Sequence, residues 1–139
     1  MKKQMFILVL MMITNLALAQ GLQKGNLFGV HLVTVELKPN VKIDEFKTFF
    51  VNEVLPQYEK SWVGLKGYLV KSVRGEYKDR FFIVWLFESE KARDKYFNAD
   101  GTANDLEKAA FERVGPVEEK LKKNYGSYTI KYTDDFVVQ

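Results

Sequence analysis

The chain carries a single histidine, two tryptophans and no cysteine. The residues able to do chemistry are therefore few. His31 lies inside the apolar run Leu27-Phe28-Gly29-Val30-His31-Leu32-Val33. Its ordinary pKa near neutrality suits general acid or base work. On an apolar strand face it equally suits a packed, hydrogen-bonded core role, and no partner stands near it in the sequence. The absence of Cys removes thiolate metal sites and thiol nucleophiles. Trp85, Tyr68, Tyr132 and the cluster Phe46, Phe49 and Phe50 are candidates for lining an apolar pocket between sheet and helices, the common build of a small-molecule site. Large aromatics also dominate ordinary cores and interfaces.

The sequence also holds two acidic groupings. Asn98-x-Asp100-Gly101 with Glu107 falls on four positions of a calcium loop, but Tyr96 occupies the place where Asp is required. A turn at Asp100-Gly101, with Thr102 or Asn104 capping the next helix, explains the same residues. Asp134-Asp135 are strand neighbours and point to opposite faces, so they form no dyad by themselves and read as a solvated pair. Glycine-rich phosphate loops, a G-x-S-x-G elbow and H-E-x-x-H are absent from the sequence. No metal and no organic cofactor is expected.

Periodicity supplies the elements that must position these residues. Leu27 to Leu37 reads as a strand, closed by Lys38-Pro39-Asn40. Phe46, Phe49, Phe50 and Val54 then recur at helical spacing, with Asp44 and Glu45 in the first turn, and Pro56 is expected to end or kink the helix near Val54. Gly64–Val73 and Arg80–Glu88 read as strands joined by the polar turn of residues 74–79, hence an antiparallel hairpin. Ser89 caps a short helix expected through Phe97. A longer helix is expected from about Ala103 to Lys123, kinked at Gly115-Pro116 and stopped by Gly126. Ser127 to Val138 reads as the last strand, with Tyr128, Ile130, Tyr132 and Phe136 on one side. The order βαββαβ predicts an α+β, ferredoxin-like fold: an antiparallel sheet with helices on one face.

Before this domain stands an expected signal peptide over residues 1–19. Lys2 and Lys3 provide the charged start, Met5–Ile13 the apolar run, and Ala17 and Ala19 the small positions of an A-x-A cleavage site. Residues 20–26 read as a flexible lead and 27–139 as one domain. The apolar run is too short to span a bilayer, so no stable membrane anchor is expected after cleavage, and the location is periplasmic or extracellular. The full chain holds 21 basic and 18 acidic residues; without Lys2 and Lys3 the balance is 19 to 18. Such a nearly neutral chain offers no electrostatic reason to bind nucleic acid.

Both faces of two strands are apolar. In 80–88 one side carries Phe81, Ile83, Trp85 and Phe87, the other Phe82, Val84 and Leu86; in 27–37 one side carries Phe28, Val30 and Leu32, the other His31, Val33, Val35 and Leu37. Helices cover one face only, and an apolar second face left in water is unusual. A second copy packed sheet to sheet is the expected remedy, hence a homodimer.

With this element order and doubly apolar sheet, the chain resembles the dimeric α/β-barrel superfamily, which includes antibiotic-biosynthesis-type monooxygenases and stress-responsive A/B barrel proteins. The run His31-Leu32-Val33-Thr34-Val35-Glu36-Leu37-Lys38 is similar to the first strand of the stress-responsive group, where an H-x-V run leads to a Lys. The resemblance implies that His31 sits in a cleft as acid or base. Haem-degrading members use an Asn, a Trp and a helix-borne His; Trp85 matches the Trp, but the only His here is on a strand. The expected function is an exported protein binding a small apolar or aromatic molecule through Trp85, Tyr68, Phe49 and Tyr132. If it is an enzyme, His31 acts without a cofactor, as in a cofactor-free monooxygenase or cyclase. The alternative is a non-catalytic stress-related or protein-interaction module of the same fold.

Overall fold

The computed structural model describes residues 21–139; the expected signal peptide lies outside them. β1 (Leu27–Leu37) is followed by α1 (Ile43–Phe49), a π-helical turn (Phe50–Val54), α2 (Leu55–Ser61), the hairpin β2 (Leu65–Lys71) and β3 (Phe81–Phe87), the short α3 (Glu90–Asp94), α4 (Asp105–Asn124) and β4 (Gly126–Val137). The sheet order is β2-β3-β1-β4, and each neighbouring pair is antiparallel. Two βαβ halves interleaved in this order make the ferredoxin-like fold, and the helices pack on one face of the sheet.

Local chemistry explains the boundaries. Ser89 caps α3 by accepting a hydrogen bond from the Ala92 amide at 3.1 Å. Asn104 caps α4, its side-chain oxygen accepting from Leu106 N and Glu107 N at 2.9 and 3.2 Å. Pro56 does not end the first helical stretch. The π-helical turn loosens the backbone just before it, and Pro56 then falls in the first turn of α2, where its missing N–H has no helical partner to lose. The stretch therefore runs on to Ser61 and carries Tyr58 over the sheet. α4 is likewise unbroken through Gly115-Pro116, whereas α3 stops at Asp94, short of Phe97, which instead bridges to Ala103.

Residues of alternate parity face the helices. Leu27, Gly29, His31 and Val33 of β1 lie opposite Phe87, Trp85, Ile83 and Phe81 of β3. The core forms two clusters, one around Trp62, Leu65, Phe87, Tyr96 and Val114, the other around Phe46, Phe50, Val54, Ile83 and Leu121. Tyr58, Trp85 and Val117 touch both.

The pairing of β1 with β4 shifts register between Val30 and His31, so that Val30 faces Asp134 and His31 faces Tyr132. Thr133 is the extra residue, a β-bulge, and its hydroxyl donates to the Val30 carbonyl at 2.5 Å. The bulge corrects the expected facing of Phe136. Simple alternation puts it beside Tyr132, but the inserted residue turns it to the helix-free face, where it stacks on Phe28 at 5.1 Å.

One substitution tests this packing. A Cβ at Gly67 would lie 2.6 Å from Trp85 Cζ3 and 3.0 Å from Leu55 Cδ2. Gly67→Ala is expected to lower unfolding free energy by roughly 1–3 kcal/mol in denaturant titration, as overpacked cores do.

Candidate functional site

One row across the sheet builds the site. From β4 to β2, the facing residues are Asp135, Gly29, Trp85 and Gly67. The two glycines do different things. At Gly67 the missing side chain seats the Trp85 indole. At Gly29 it makes room for the Asp135 carboxylate: a Cβ there would lie 2.6 Å from Asp135 Oδ1 and 3.4 Å from His31 Nε2.

A cavity of about 220 Å³ opens over this row, where the two core clusters meet. Its floor is Gly29, His31, Ile83 and Trp85. One wall is a ladder of rings from α2 and α4: Trp85 to Tyr58 at 5.0 Å, Tyr58 stacked on Trp62 at 5.2 Å, and Trp62 edge-on to Phe111 at 4.9 Å. Phe111, Ile130 and Tyr132 line it as well and are each about half exposed, which marks the open side. The volume exceeds the roughly 150 Å³ of an apolar cavity able to take benzene.

Polar groups punctuate these apolar walls. His31 meets the Tyr132 ring edge-on at 5.4 Å, and its Nδ1 is buried with no hydrogen-bond partner among the described residues. Burial lowers the His31 pKa below its ordinary 6.5, and the negative charge of Asp135 opposes that shift. The imidazole is therefore neutral at neutral pH, with a lone pair to offer. Opposite stands Glu107, which is 6% exposed and accepts a hydrogen bond from Trp62 Nε1. Burial pushes its carboxyl above the usual range, while the Trp62 hydrogen bond and the Arg93 charge pull it back. Tyr58 and Tyr128 both donate to Glu118 Oε1, at 3.0 and 2.6 Å. Burial and the Glu118 charge hold both phenols protonated, far above the ordinary tyrosine range.

Of the residues singled out in the sequence, His31, Trp85 and Tyr132 meet in this cavity. Tyr68 does not: it neighbours Gly67 on β2, so alternation sends it to the helix-free face, 49% exposed. Phe49 is also elsewhere, buried at the far end of the core and stacked on Tyr125 at 4.9 Å. Phe46 and Phe50 pack in that same cluster. Tyr58, Trp62, Glu107 and Asp135 also line the cavity, where the sequence reading did not place them. Glu107 left a readable trace, because it shares the buried stripe of α4 with Ala110, Val114 and Leu121, and a carboxylate on an apolar stripe calls for a reason. Asp135 is exposed, as expected, but the bulge at Thr133 turns it to the side of His31. In the loop before α4, Asp100 accepts from the amide and hydroxyl of Thr102 at 3.0 and 2.6 Å, a turn of the kind expected there.

No family model matches the chain, and no curated protein matches it. Among solved structures it is similar to a dimeric protein of unknown function and ferredoxin-like fold from Bacteroides fragilis, at 12% identity over 82% of this chain and 97% of that one, with a TM-score of 0.38. It is also similar to a candidate antibiotic biosynthesis monooxygenase from Caulobacter crescentus, at 22% identity over 80% and 90% of the two chains, TM-score 0.35. A de novo designed ferredoxin-fold protein matches at 16% identity over 78% and 85%, TM-score 0.37. These are likenesses of fold.

The His31 environment has a measurable consequence. The unfolded chain takes up this proton near pH 6.5 and the folded chain only at lower pH. Between those values the unfolded state holds more protons, so stability falls as pH drops through that window and levels off below the folded pKa. NMR titration is expected to place the His31 pKa below 6.5. Asp135→Asn should lower it further by removing the opposing charge, and His31→Gln should abolish this part of the pH dependence in denaturant titrations.

Proposed function

We propose that this is an exported, small-molecule-binding protein that holds an apolar or aromatic compound in the cavity over Trp85. The observation that carries the reading is the cavity itself: ring-lined walls enclosing a neutral histidine whose buried Nδ1 has no partner among the described residues. Aromatic walls with a few polar groups are the common build of a small-molecule site. If the ligand is transformed, His31 is the acid or base, with Asp135 beside it over Gly29, without an organic cofactor or a metal. Export rests on Lys2, Lys3, the apolar run Met5–Ile13 and the A-x-A site ending at Ala19. Among the described residues no helix is long and apolar enough to cross a membrane.

The protein acts as a homodimer in this reading, packed through the helix-free face. Phe28, Val30, Leu32, Phe82, Val84 and Leu86 share that face on the two central strands, flanked by Tyr68, Val70 and Phe136 at 49%, 41% and 45% exposure. Tyr77 of the β2–β3 loop sits edge-on against Phe82 at 5.7 Å, and Phe136 stacks on Phe28 at 5.1 Å. A contiguous apolar sheet face of this kind is what a second copy covers.

Native mass spectrometry of the protein recovered from an exporting host examines both parts. The expected result is a dimer that starts at Gln20 and carries a co-purified small mass. Val84→Lys, which places a charge at the centre of the helix-free face, is expected to give a folded monomer. A wild-type monomer at micromolar concentration would remove the dimer, and retention of residues 1–19 would remove cleavage.

A further inference from the structure

The few polar side chains that line the cavity mostly offer hydrogen-bond acceptors rather than free donors. Glu107 spends Oε2 on Trp62, and Oε1 has no hydrogen bond among the described residues. Tyr58 and Tyr128 line the cavity, but both direct their protons to Glu118. They leave only oxygen lone pairs toward a ligand. On the other side, Asp135 Oδ1 and the His31 ring crowd together over Gly29, the carboxylate adding a second acceptor-only group. Arg93 is the one permanent cation among the described lining residues. Its guanidinium lies 3.9 Å over the Phe97 ring and bonds Asp94 at 3.2 Å, so it is already engaged at the edge of the site.

From this arrangement we infer that the cavity selects aromatic molecules that carry a hydrogen-bond donor, above all a protonated amine, with Glu107 as the group that receives it, and rejects aromatic carboxylates. The inference rests on the small-molecule reading of the same cavity and narrows it to a ligand class. Ring faces on the Tyr58–Trp62 ladder add to the preference, since a cation is attracted to an aromatic face. A carboxylate in the same place would meet Glu107 and Asp135 with few donors to offset the repulsion. Trp62 keeps a hydrogen-bond acceptor in Glu107→Gln, so that variant removes the charge while retaining the packing.

Trp62 and Trp85 both line the cavity, so their fluorescence reports occupancy. The protein recovered from an exporting host is titrated with 2-phenylethylamine, phenylacetate and ethylbenzene as probes of similar shape and different charge. The amine is expected to bind at least tenfold tighter than phenylacetate. Glu107→Gln is expected to weaken the amine about tenfold and to change ethylbenzene less than twofold. Equal or tighter binding of phenylacetate, or an amine affinity indifferent to Glu107→Gln, overturns the inference while leaving the cavity reading in place. If ethylbenzene and the amine both fail to bind, the cavity reading falls and the inference with it. The wild-type comparison decides the matter without the variant. Should Glu107→Gln not fold, Asp135→Asn at the open side supplies the second arm, with the amine again weakened relative to ethylbenzene.

Discussion

The Trp85 indole needs room on a sheet that would ordinarily deny it. Side chains on neighbouring strands stand close to one another, and a ring of this size laid across the strands requires a neighbour without a Cβ. Gly67 provides that on one flank, where even a methyl group would come within 2.6 Å of the indole. The ring then supports Tyr58, which stacks on Trp62, which in turn holds the Glu107 carboxylate of α4. On the other flank Gly29 admits the Asp135 carboxylate beside the His31 ring. The same row thus seats an indole at one glycine and a carboxylate at the other, under the cavity.

Much of the scaffold could be read directly. β1 begins and ends where Leu27, Leu37 and Pro39 indicate, and the caps at Ser89 and Asn104 stand where their side chains can accept amide protons. The βαββαβ order and the two-sided apolar character of β1 and β3 follow from alternation along the strands. What misled was backbone irregularity. Pro56 is expected from the sequence to end or kink the helix near Val54; a π-helical turn falls there instead, and the helix runs on to Ser61, carrying Tyr58, with Trp62 just past its end, into the cavity wall. The bulge at Thr133 reverses the facing of everything after it, which hides Asp135 and misplaces Phe136. Neither irregularity leaves a mark in residue periodicity, because each depends on which backbone groups pair across space. Tyr68 was a different error: its own alternation with Gly67 would have excluded it from the helix side.

The two faces of the sheet differ in chemistry. On the helix side, several buried polar groups have partners, as in the Tyr58–Glu118–Tyr128 triad, or line the cavity, as with His31 and Glu107. The cost of burying a carboxylate there is visible in the raised Glu107 pKa. On the opposite side polar groups are sparse on the two central strands, and the apolar rows of β1 and β3 are left without a covering layer among the described residues. The cavity and the apolar face are thereby separated by one sheet thickness, with Trp85 and Gly29 on one side and Val84 and Phe28 on the other.

The central claim is that an aromatic molecule enters between sheet and helices above Trp85. Isotope-filtered NOE spectroscopy, with unlabelled ethylbenzene added to carbon-13-labelled protein, addresses it at atomic level. The predicted result is a set of contacts from the ligand ring to Trp85, Tyr58 and His31. Contacts confined to Tyr68, Phe82 and Val84 on the helix-free face, or none at all at saturating ligand, would contradict it.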